Sequence, residues 1–180
     1  MRQRVHIFGA SGAGTTTLGR ELARKHAMPF FDTDAFFWEP TDPPYQRARD
    51  RTSRHELLME VLSATNRWIV AGSICGWGDV AIPMIDLAVF VVTPLEVRLT
   101  RLQTREHDIF GSRISPGGDM HEQYRTFLEW AARYDEGSPV ERSRRLHEEW
   151  IACLKCQVVR VDGDKLLSEL CNEVSIAMSG

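Results

Sequence analysis

The sequence predicts an α/β fold in which a parallel β-sheet is covered by helices on both faces. Three observations carry this prediction: apolar runs of strand length recur along the chain, stretches with leucines at helical spacing separate them, and a glycine-rich turn joins the first strand to the first helix. Such an alternation of strands and helices is typical of parallel sheets, because parallel strands need crossover connections. No repeat or linker divides the 180 residues, so we expect a single domain over residues 1–180.

The first strand, residues 5–8, leads into a glycine loop, and a helix with two leucines on one face follows. The loop glycines allow backbone N–H groups to point inward at phosphate oxygens, and the start of the helix adds the positive end of its dipole. This is the frame of a phosphate-binding loop, but Thr15 occupies the usual lysine position, and Thr16 occupies the position whose hydroxyl holds Mg²⁺. Nine residues are therefore predicted to bind a nucleotide: Gly9, Ala10, Ser11, Gly12, Ala13, Gly14, Thr15, Thr16 and Thr17.

Four further strands are predicted in order from short apolar runs that end at turn residues, at 28–31, 67–71, 85–92 and 158–161. Helices are predicted from apolar stripes at helical spacing within 57–62, 95–102, 120–131 and 166–174. Three prolines make residues 39–47 a loop. Ser138-Pro139-Val140-Glu141 has the form of a capping box, which predicts the start of one more helix.

The composition is that of an ordinary globular protein, with 43% hydrophobic and 26% charged residues. The formal net charge of -3 gives no indication of general nucleic-acid binding, so a nucleic-acid partner is not expected. No apolar run approaches the roughly 18 residues that a membrane span requires, and we expect no membrane contact and a cytoplasmic location. The four cysteines do not form the pattern of a secreted disulfide framework.

Taken together, the glycine loop, the acidic segment 32–34, the arginines after the fourth strand and Val161-Asp162-Gly163 after the last strand resemble the adenylate kinase-like small phosphotransferases. This group of P-loop NTPases includes nucleoside monophosphate kinases and shikimate kinase. The resemblance implies the strand order 2-3-1-4-5 in a three-layer fold, a mobile lid at about 106–122, a separate acceptor pocket, and ATP and Mg²⁺ as cofactors. It also implies that Asp162 and Gly163 lie against the adenine ring. The loop itself is similar to that of bacterial phosphoribulokinases, active kinases with threonine at the same place.

Three arginines are candidates to replace the missing lysine charge: Arg101, Arg105 and Arg113. The first two share one face of the predicted helix with Arg98, and Arg113 lies in the following loop, where lids of the resembled family carry phosphate-binding arginines. A planar guanidinium can stabilise the charge on a transferring phosphoryl group. For Arg98 we favour an exposed helix face paired with acids. The cluster Arg142, Arg144 and Arg145 could reach the site, but we favour a surface helix for it.

Asp32 and Asp34 follow the second predicted strand, at the carboxyl edge of the sheet where ligands of open α/β folds bind. By resemblance to shikimate kinase, Asp34 is expected to orient or deprotonate the acceptor hydroxyl and Asp32 to support Mg²⁺ together with Thr16. An Asp turn or a helix cap remains the alternative. Phe37, Trp38, Gly72 and Ser73 are the further candidates for the acceptor pocket, although some of these rings could simply close the core.

The main hypothesis is an ATP- and Mg²⁺-dependent small-molecule kinase with a nucleoside monophosphate, a shikimate-like hydroxyl compound or a sugar as acceptor. The alternative is a degenerate nucleotide-binding regulator with little phosphotransferase activity, which the absent lysine favours. A nucleic-acid-end kinase is a third hypothesis, and the acidic balance of charge argues against it. The sequence leaves open whether the protein is a monomer or a homodimer.

Overall fold

A computed structural model describes residues 3–137 and 142–180 of the chain. Its centre is a five-stranded sheet in the order β2-β3-β1-β4-β5, with every neighbouring pair parallel. The strands are β1 (Arg4–Gly9), β2 (Phe30–Asp32), β3 (Trp68–Ala71), β4 (Leu87–Val92) and β5 (Gln157–Asp162). The predicted fold class and strand order are confirmed.

The strand bounds differ from the predicted ones by one or two residues at most ends. β2 begins at Phe30, because Pro29 has no N–H to donate and the Met28 N–H is used at the end of α1, where it donates to the Ala23 carbonyl oxygen. The strand also includes Asp32, which we had placed just after it. β4 begins at Leu87, since the preceding residues form a 3-10 helix over Asp79–Met84 and then turn into the sheet.

Seven α-helices lie within the described residues: α1 (Thr15–His26), α2 (Asp34–Phe37), α3 (Arg51–Ser63), α4 (Leu95–Phe110), α5 (His121–Ala132), α6 (Arg144–Ile151) and α7 (Leu167–Ser179). The short helix α2 was not predicted. The capping box that we predicted at residues 138–141 lies outside the described residues, and in the described part α6 begins after Ser143, whose hydroxyl accepts a hydrogen bond from the Leu146 N–H. None of the described helices is long and apolar enough to cross a membrane.

Alternation of side chains along the strands gives the sheet two apolar faces. On one face, Val5 and Ile7 pack with helices α1 and α7. On the other face, Phe8 packs with α3 and α6 and contributes to an aromatic stack with Phe90 and Trp150. Each layer of helices therefore buries one side of the sheet, as a three-layer fold requires.

The carboxyl ends of the strands lie together because all five strands are parallel. Gly9 at the end of β1 pairs with Val91, Asp32 at the end of β2 pairs with Ala71, and Asp162 at the end of β5 pairs with Val92. This arrangement brings the glycine loop, the acidic segment and the last-strand loop to one edge of the sheet, where the candidate site is built.

Candidate functional site

The glycine loop turns tightly between β1 and α1. Gly12 and Gly14 have φ angles of 79° and 96°, which glycine adopts at no steric cost. A Cβ on Gly9 would lie 2.5 Å from the Val91 carbonyl oxygen, so a side chain is excluded at the start of the loop. Gly14 caps α1, and no side chain of the described chain caps this helix in its place. The first N–H groups of α1 are therefore arranged as in an anion-binding helix N-terminus.

Thr16 and Asp32 form a pair of oxygen ligands beside the loop. The Thr16 hydroxyl donates a hydrogen bond to Asp32 Oδ2 over 3.2 Å, across the gap between α1 and β2. Hydroxyl and carboxylate oxygens are the hard ligands that Mg²⁺ prefers. The two residues predicted to hold the metal are thus brought together, and their chemistry fits that ion.

Arg101 on α4 lies over the glycine loop. Its Nη1 donates a hydrogen bond to the Gly163 carbonyl oxygen over 2.9 Å, and a Cβ built on Gly14 would be 3.7 Å from the same nitrogen. Gly163 is itself packed against the loop, since its own Cβ would lie 2.9 Å from the Ala13 carbonyl oxygen. The structure therefore brings together one candidate arginine, the phosphate-binding loop and the predicted adenine-side loop.

The other candidate arginines make contacts farther along the lid. Arg105 donates to Glu106 Oε1 through Nε and Nη2, over 3.0 and 2.6 Å. Arg113 donates to Asp119 over 2.7 Å and to Asp42 over 3.0 Å, and these hydrogen bonds raise the pKa of its guanidinium. Three carboxylates, those of Glu106, Asp119 and Asp42, therefore occupy the two guanidinium groups in the arrangement described.

The interpretation of Arg98 as an exposed residue was wrong. Its side chain is fully buried, donates to the carbonyl oxygens of Thr93 and Ala131 over 3.1 and 3.2 Å, and pairs with Asp135. Arg98 lies one helical turn before Leu102, on the buried face of α4, so it shares the leucine face and does not oppose it. It anchors the segment after α5 to the sheet.

Asp34 begins α2, two residues after Asp32 at the end of β2. Its backbone N–H donates to Asp32 Oδ1 over 3.1 Å, so the expected Asp turn and the functional placement occur together. Desolvation by the surrounding protein raises the pKa of Asp34, and the neighbouring Asp32 charge raises it further, whereas Arg142 and Arg105 act in the opposite direction. A raised pKa makes a carboxylate a stronger base than an ordinary aspartate.

The interpretation of Arg142 as part of a surface helix was also wrong. This residue precedes α6, is partly buried, and its guanidinium carbon lies 5.5 Å from the Trp130 ring centroid. Burial lowers the pKa of Arg142, whereas the nearby Asp34 carboxylate raises it. Arg142 is thus close enough to the acidic segment to interact with Asp34 electrostatically. Sequence reasoning favoured a surface helix because nothing in a run of arginines shows which one turns inward.

Aromatic rings line the next part of the cleft. Phe37 packs edge-on against Trp38 at 4.9 Å between ring centroids, and Trp38 packs against Tyr45 at 5.9 Å. The Arg54 guanidinium lies 3.7 Å from the Phe37 ring centroid. Phe37 and Trp38 are half-buried and Tyr45 is 47% exposed, so these rings both close the loop onto the core and present surface beside Asp34.

Gly72 and Ser73 follow β3, as predicted, but their contacts are with protein. A Cβ on Gly72 would lie 1.9 Å from Thr33 Oγ1, so only glycine allows β3 to pass this close to the acidic segment. Ser73 is buried, and its hydroxyl lies 2.9 Å from His147 Nε2. The Ser73 hydroxyl is therefore occupied by its contact with His147. Gly72 allows the end of β3 to lie close to the acidic segment at Thr33.

Hydrogen bonds join Arg113 and Gln123 to the loop over residues 39–47. Besides the Arg113 contact with Asp42, the Gln123 side-chain amide donates to the Pro44 carbonyl oxygen over 3.0 Å, and Gln123 Oε1 accepts a hydrogen bond from Gln46. We call these four side chains and Pro44 the clasp. The clasp connects Arg113 and Gln123 to the loop over residues 39–47, and the sequence contains no periodicity that could have revealed it.

Comparisons with known proteins agree with this architecture. The family model described as AAA domain matches residues 5–122. The chain is 39% identical over 174 residues to the uncharacterized protein YqaC of Bacillus subtilis (strain 168), across 97% of this chain and 96% of that protein.

Two solved structures share the fold, each with a TM-score of 0.58 and 18% sequence identity. One is a shikimate kinase from Acinetobacter baumannii in complex with shikimate, matched over 99% of this chain and 94% of that chain. The other is a gluconokinase from Sinorhizobium meliloti 1021, matched over 99% and 92%. The resemblance to small P-loop kinases is confirmed.

Proposed function

This chain belongs to the AAA domain family, whose model covers its residues 5–122. From that premise and the geometry of the site, we propose that it is an ATP-dependent kinase acting on a small molecule. The observation that carries the proposal is the Thr16–Asp32 pair, 3.2 Å apart beside an uncapped glycine loop. An anion cradle with adjacent hard oxygen ligands suits a nucleotide triphosphate and Mg²⁺. The fold shared with a shikimate kinase and a gluconokinase supports a phosphoryl acceptor of small size.

In this proposal the backbone of residues 9–17 holds the phosphates of ATP. Arg101 supplies the positive charge that a lysine would supply at Thr15, because its guanidinium already lies over Gly14. Asp162 and Gly163 form the wall against the adenine ring. Arg105 and Arg113 join the phosphates only after they exchange their carboxylate partners, so we assign them to the closed state of the lid.

Thr16 and Asp32 would hold Mg²⁺, which when bound neutralises charge on the phosphate oxygens. Asp34 orients the acceptor hydroxyl and accepts its proton. Arg142 lies near Asp34 and balances the charge of the acidic segment. Phe37, Trp38 and Gly72 shape the acceptor side of the cleft, and Ser73 supports it from below.

The alternative is a nucleotide-binding regulator with little turnover, and Thr15 is the observation that favours it. Phosphoryl transfer is largely a matter of positioning and charge stabilisation, so the loss of one cation would slow turnover more than it would weaken binding. The two hypotheses therefore differ in product formation and agree on ATP binding.

A thermal-shift screen followed by phosphorus NMR tests the proposal. ATP with Mg²⁺ should raise the melting temperature, and one candidate among a nucleoside monophosphate, shikimate and gluconate should raise it further by mass action. The stabilising pair should then yield ADP and a phosphorylated acceptor. ATP-dependent stabilisation with only slow release of inorganic phosphate would favour the regulator, and the absence of any shift with ATP would refute both.

A further inference from the structure

A buried hydrogen-bond chain runs beneath the acceptor side of the cleft. His147 on α6 is fully buried and lies between two hydroxyl groups. Its Nε2 is 2.9 Å from Ser73 Oγ, and its Nδ1 is 2.8 Å from the Tyr134 hydroxyl. We call Ser73, His147 and Tyr134 the buried chain.

The buried chain is complete when the imidazole is neutral. A neutral imidazole has one N–H and one lone pair, and each hydroxyl can serve as donor or acceptor, so every polar atom of the ring has a partner. Burial lowers the pKa of His147 to about 3, and the nearby Arg142 charge acts in the same direction. The ring is also packed edge-on against Phe8 and Phe90, at 5.3 and 5.8 Å between centroids. This packing fixes its orientation.

The buried chain joins three segments that are distant in sequence. Ser73 belongs to the turn after β3, Tyr134 to the 3-10 helix Arg133–Asp135 that follows α5, and His147 to α6. The turn after β3 has two further anchors, since His6 Nε2 lies 2.8 Å from the Gly72 carbonyl oxygen and Trp77 Nε1 donates to the Ser73 carbonyl oxygen over 2.9 Å.

Arg142 is close enough to the buried chain and to the acidic segment for its charge to act on both. This charge acts toward a lower pKa at Tyr134, at His147 and at Asp34. The Trp130 ring centroid at the end of α5 lies 5.5 Å from the Arg142 guanidinium carbon. His147 follows Arg142 by five residues, so the position of α6 determines where this arginine can reach.

We infer that the Ser73–His147–Tyr134 chain is a positioning device that holds Arg142 near Asp34. The inference rests on the proposed function in one respect, namely that the Asp34 side of the cleft receives the acceptor. His147 acts through Arg142 and is a positioning residue. Its hydrogen bonds to Ser73 and Tyr134 fix α6 against the turn after β3 and against the segment after α5, and Arg142 lies two residues before the start of α6.

The test observes Arg142 directly and needs no acceptor. The full-length protein is labelled with ¹⁵N-arginine, and the Nε–H signal of Arg142 is assigned by its disappearance in Arg142→Lys. His147→Phe keeps a ring in the pocket but removes both hydrogen bonds, whereas His147→Gln keeps one donor and one acceptor. Leu62→Ala is the matched control, since Leu62 is buried in the same apolar cluster and makes no polar contact.

In the wild type, the Arg142 signal should differ from those of exposed arginines and exchange slowly with water. His147→Phe should move the chemical shift of Arg142 to that of exposed arginines and accelerate its exchange with water at least about tenfold. His147→Gln should leave the chemical shift close to that of the wild type. Leu62→Ala should lower the melting temperature without moving the signal. An unchanged Arg142 signal in His147→Phe, or an equal change in Leu62→Ala, would overturn the inference.

Two further variants keep the test decisive if His147→Phe does not fold. Ser73→Ala and Tyr134→Phe each remove one hydrogen bond of the buried chain, and each should shift the Arg142 signal partway. No shift in either would count against the inference. Calorimetric titration of ATP into the same variants reports on the proposed function separately: wild-type protein that does not bind ATP refutes the kinase proposal and leaves the Arg142 result standing.

Discussion

Arg101 is placed to supply the positive charge that Thr15 cannot. Arg101→Met should lower the rate of phosphoryl transfer by about 1000-fold, the lower range for a catalytic arginine in such enzymes. Thr15→Lys added to that variant should recover at least about tenfold, because an ammonium would then reach the phosphates from the loop itself. The measurement is the initial rate of ADP formation with the acceptor found by the thermal-shift screen.

Arg125→Met provides the control for this experiment, because Arg125 is an exposed arginine on α5 that pairs only with Glu122 and Glu129 among described residues. Its rate should equal that of the wild type. A full rate in Arg101→Met, or no recovery on adding Thr15→Lys, would assign the missing charge to another residue.

Asp34 should act as a base whose pKa lies above that of an ordinary aspartate. A base works when ionised, so kcat/KM should fall as the pH drops through this raised pKa, above the value of about 3.9 for a free aspartate. Asp34→Asn should lower kcat by about 100-fold or more and leave ATP affinity unchanged. A pH profile without an acidic limb in the wild type would contradict the role.

At the scale of single residues, sequence reasoning located groups whose role depends on neighbours in the chain. The glycine loop and the aspartates were found because their spacing is local. Arg98 and Arg142 were misjudged because their burial depends on residues that are distant in sequence. Arg98 contacts Ala131, and Arg142 lies beside Trp130. His147 and Tyr134 gave no signal for the same reason.

At the scale of elements, the clasp joins the lid to the loop over residues 39–47. Asp42→Asn and Arg113→Gln should each accelerate hydrogen exchange in residues 111–123. The expected change is at most about fivefold, since exposed ion pairs contribute only about 1 kcal/mol or less. The double variant should show no more than Arg113→Gln alone, because Arg113→Gln already removes the contact with Asp42 together with the one to Asp119.

Glu122→Gln is the control for the clasp, as it removes an ion pair internal to α5. It should leave exchange in the lid unchanged. If Arg113→Gln instead weakens ATP binding while Asp42→Asn does not, Arg113 serves the phosphates and the clasp is incidental.

Elements that carry an apolar run or an apolar stripe were predicted from the sequence. The strands have such runs, and the helices α1, α3, α4, α5 and α7 are long enough for a helical period to be visible. Helix α2 has four residues, and the 3-10 helix over Asp79–Met84 contains a proline, so neither carries a period. Both are set by their contacts with neighbouring segments.

At the scale of the whole molecule, two buried neutral histidines should make stability depend on pH. Burial lowers the pKa of His6 to about 4 and that of His147 to about 3, whereas both titrate near 6.5 when unfolded. The unfolded chain therefore binds more protons below pH 6.5, and the free energy of unfolding falls as the pH drops. Each of these two histidines lowers the free energy of unfolding by up to about 1.4 kcal/mol per pH unit.

Urea denaturation between pH 6.5 and 5 measures this dependence, in a range where most carboxylates remain ionised. In His147→Gln, the histidine contribution to the slope of unfolding free energy against pH should be about half that of the wild type, since His6 is then the one buried histidine left of the two. A variant with the wild-type slope would show that His147 is protonated in the folded protein.

The strand order of the whole sheet was predicted from the resemblance, and the structure confirms it. Periodicity alone predicts strands but carries no information on which strands are neighbours. The convergence of the loops at one edge follows from parallel pairing, so the position of the site was predictable once the strands were known to be parallel. The buried chain of Ser73, His147 and Tyr134 was not predictable, because it depends on contacts between α6, the turn after β3 and the segment after α5.

The central claim is that the glycine loop binds the phosphates of ATP. Calorimetric titration of ATP with Mg²⁺ into the wild type and into Gly14→Val tests it most directly, because a valine would strain a backbone at φ 96° and place its side chain beside Arg101. Gly76→Val is the control, with a similar φ of 78° but open space around the added carbon. We predict one ATP per chain for the wild type and for Gly76→Val, and no measurable binding for Gly14→Val; undiminished affinity in Gly14→Val would contradict the account.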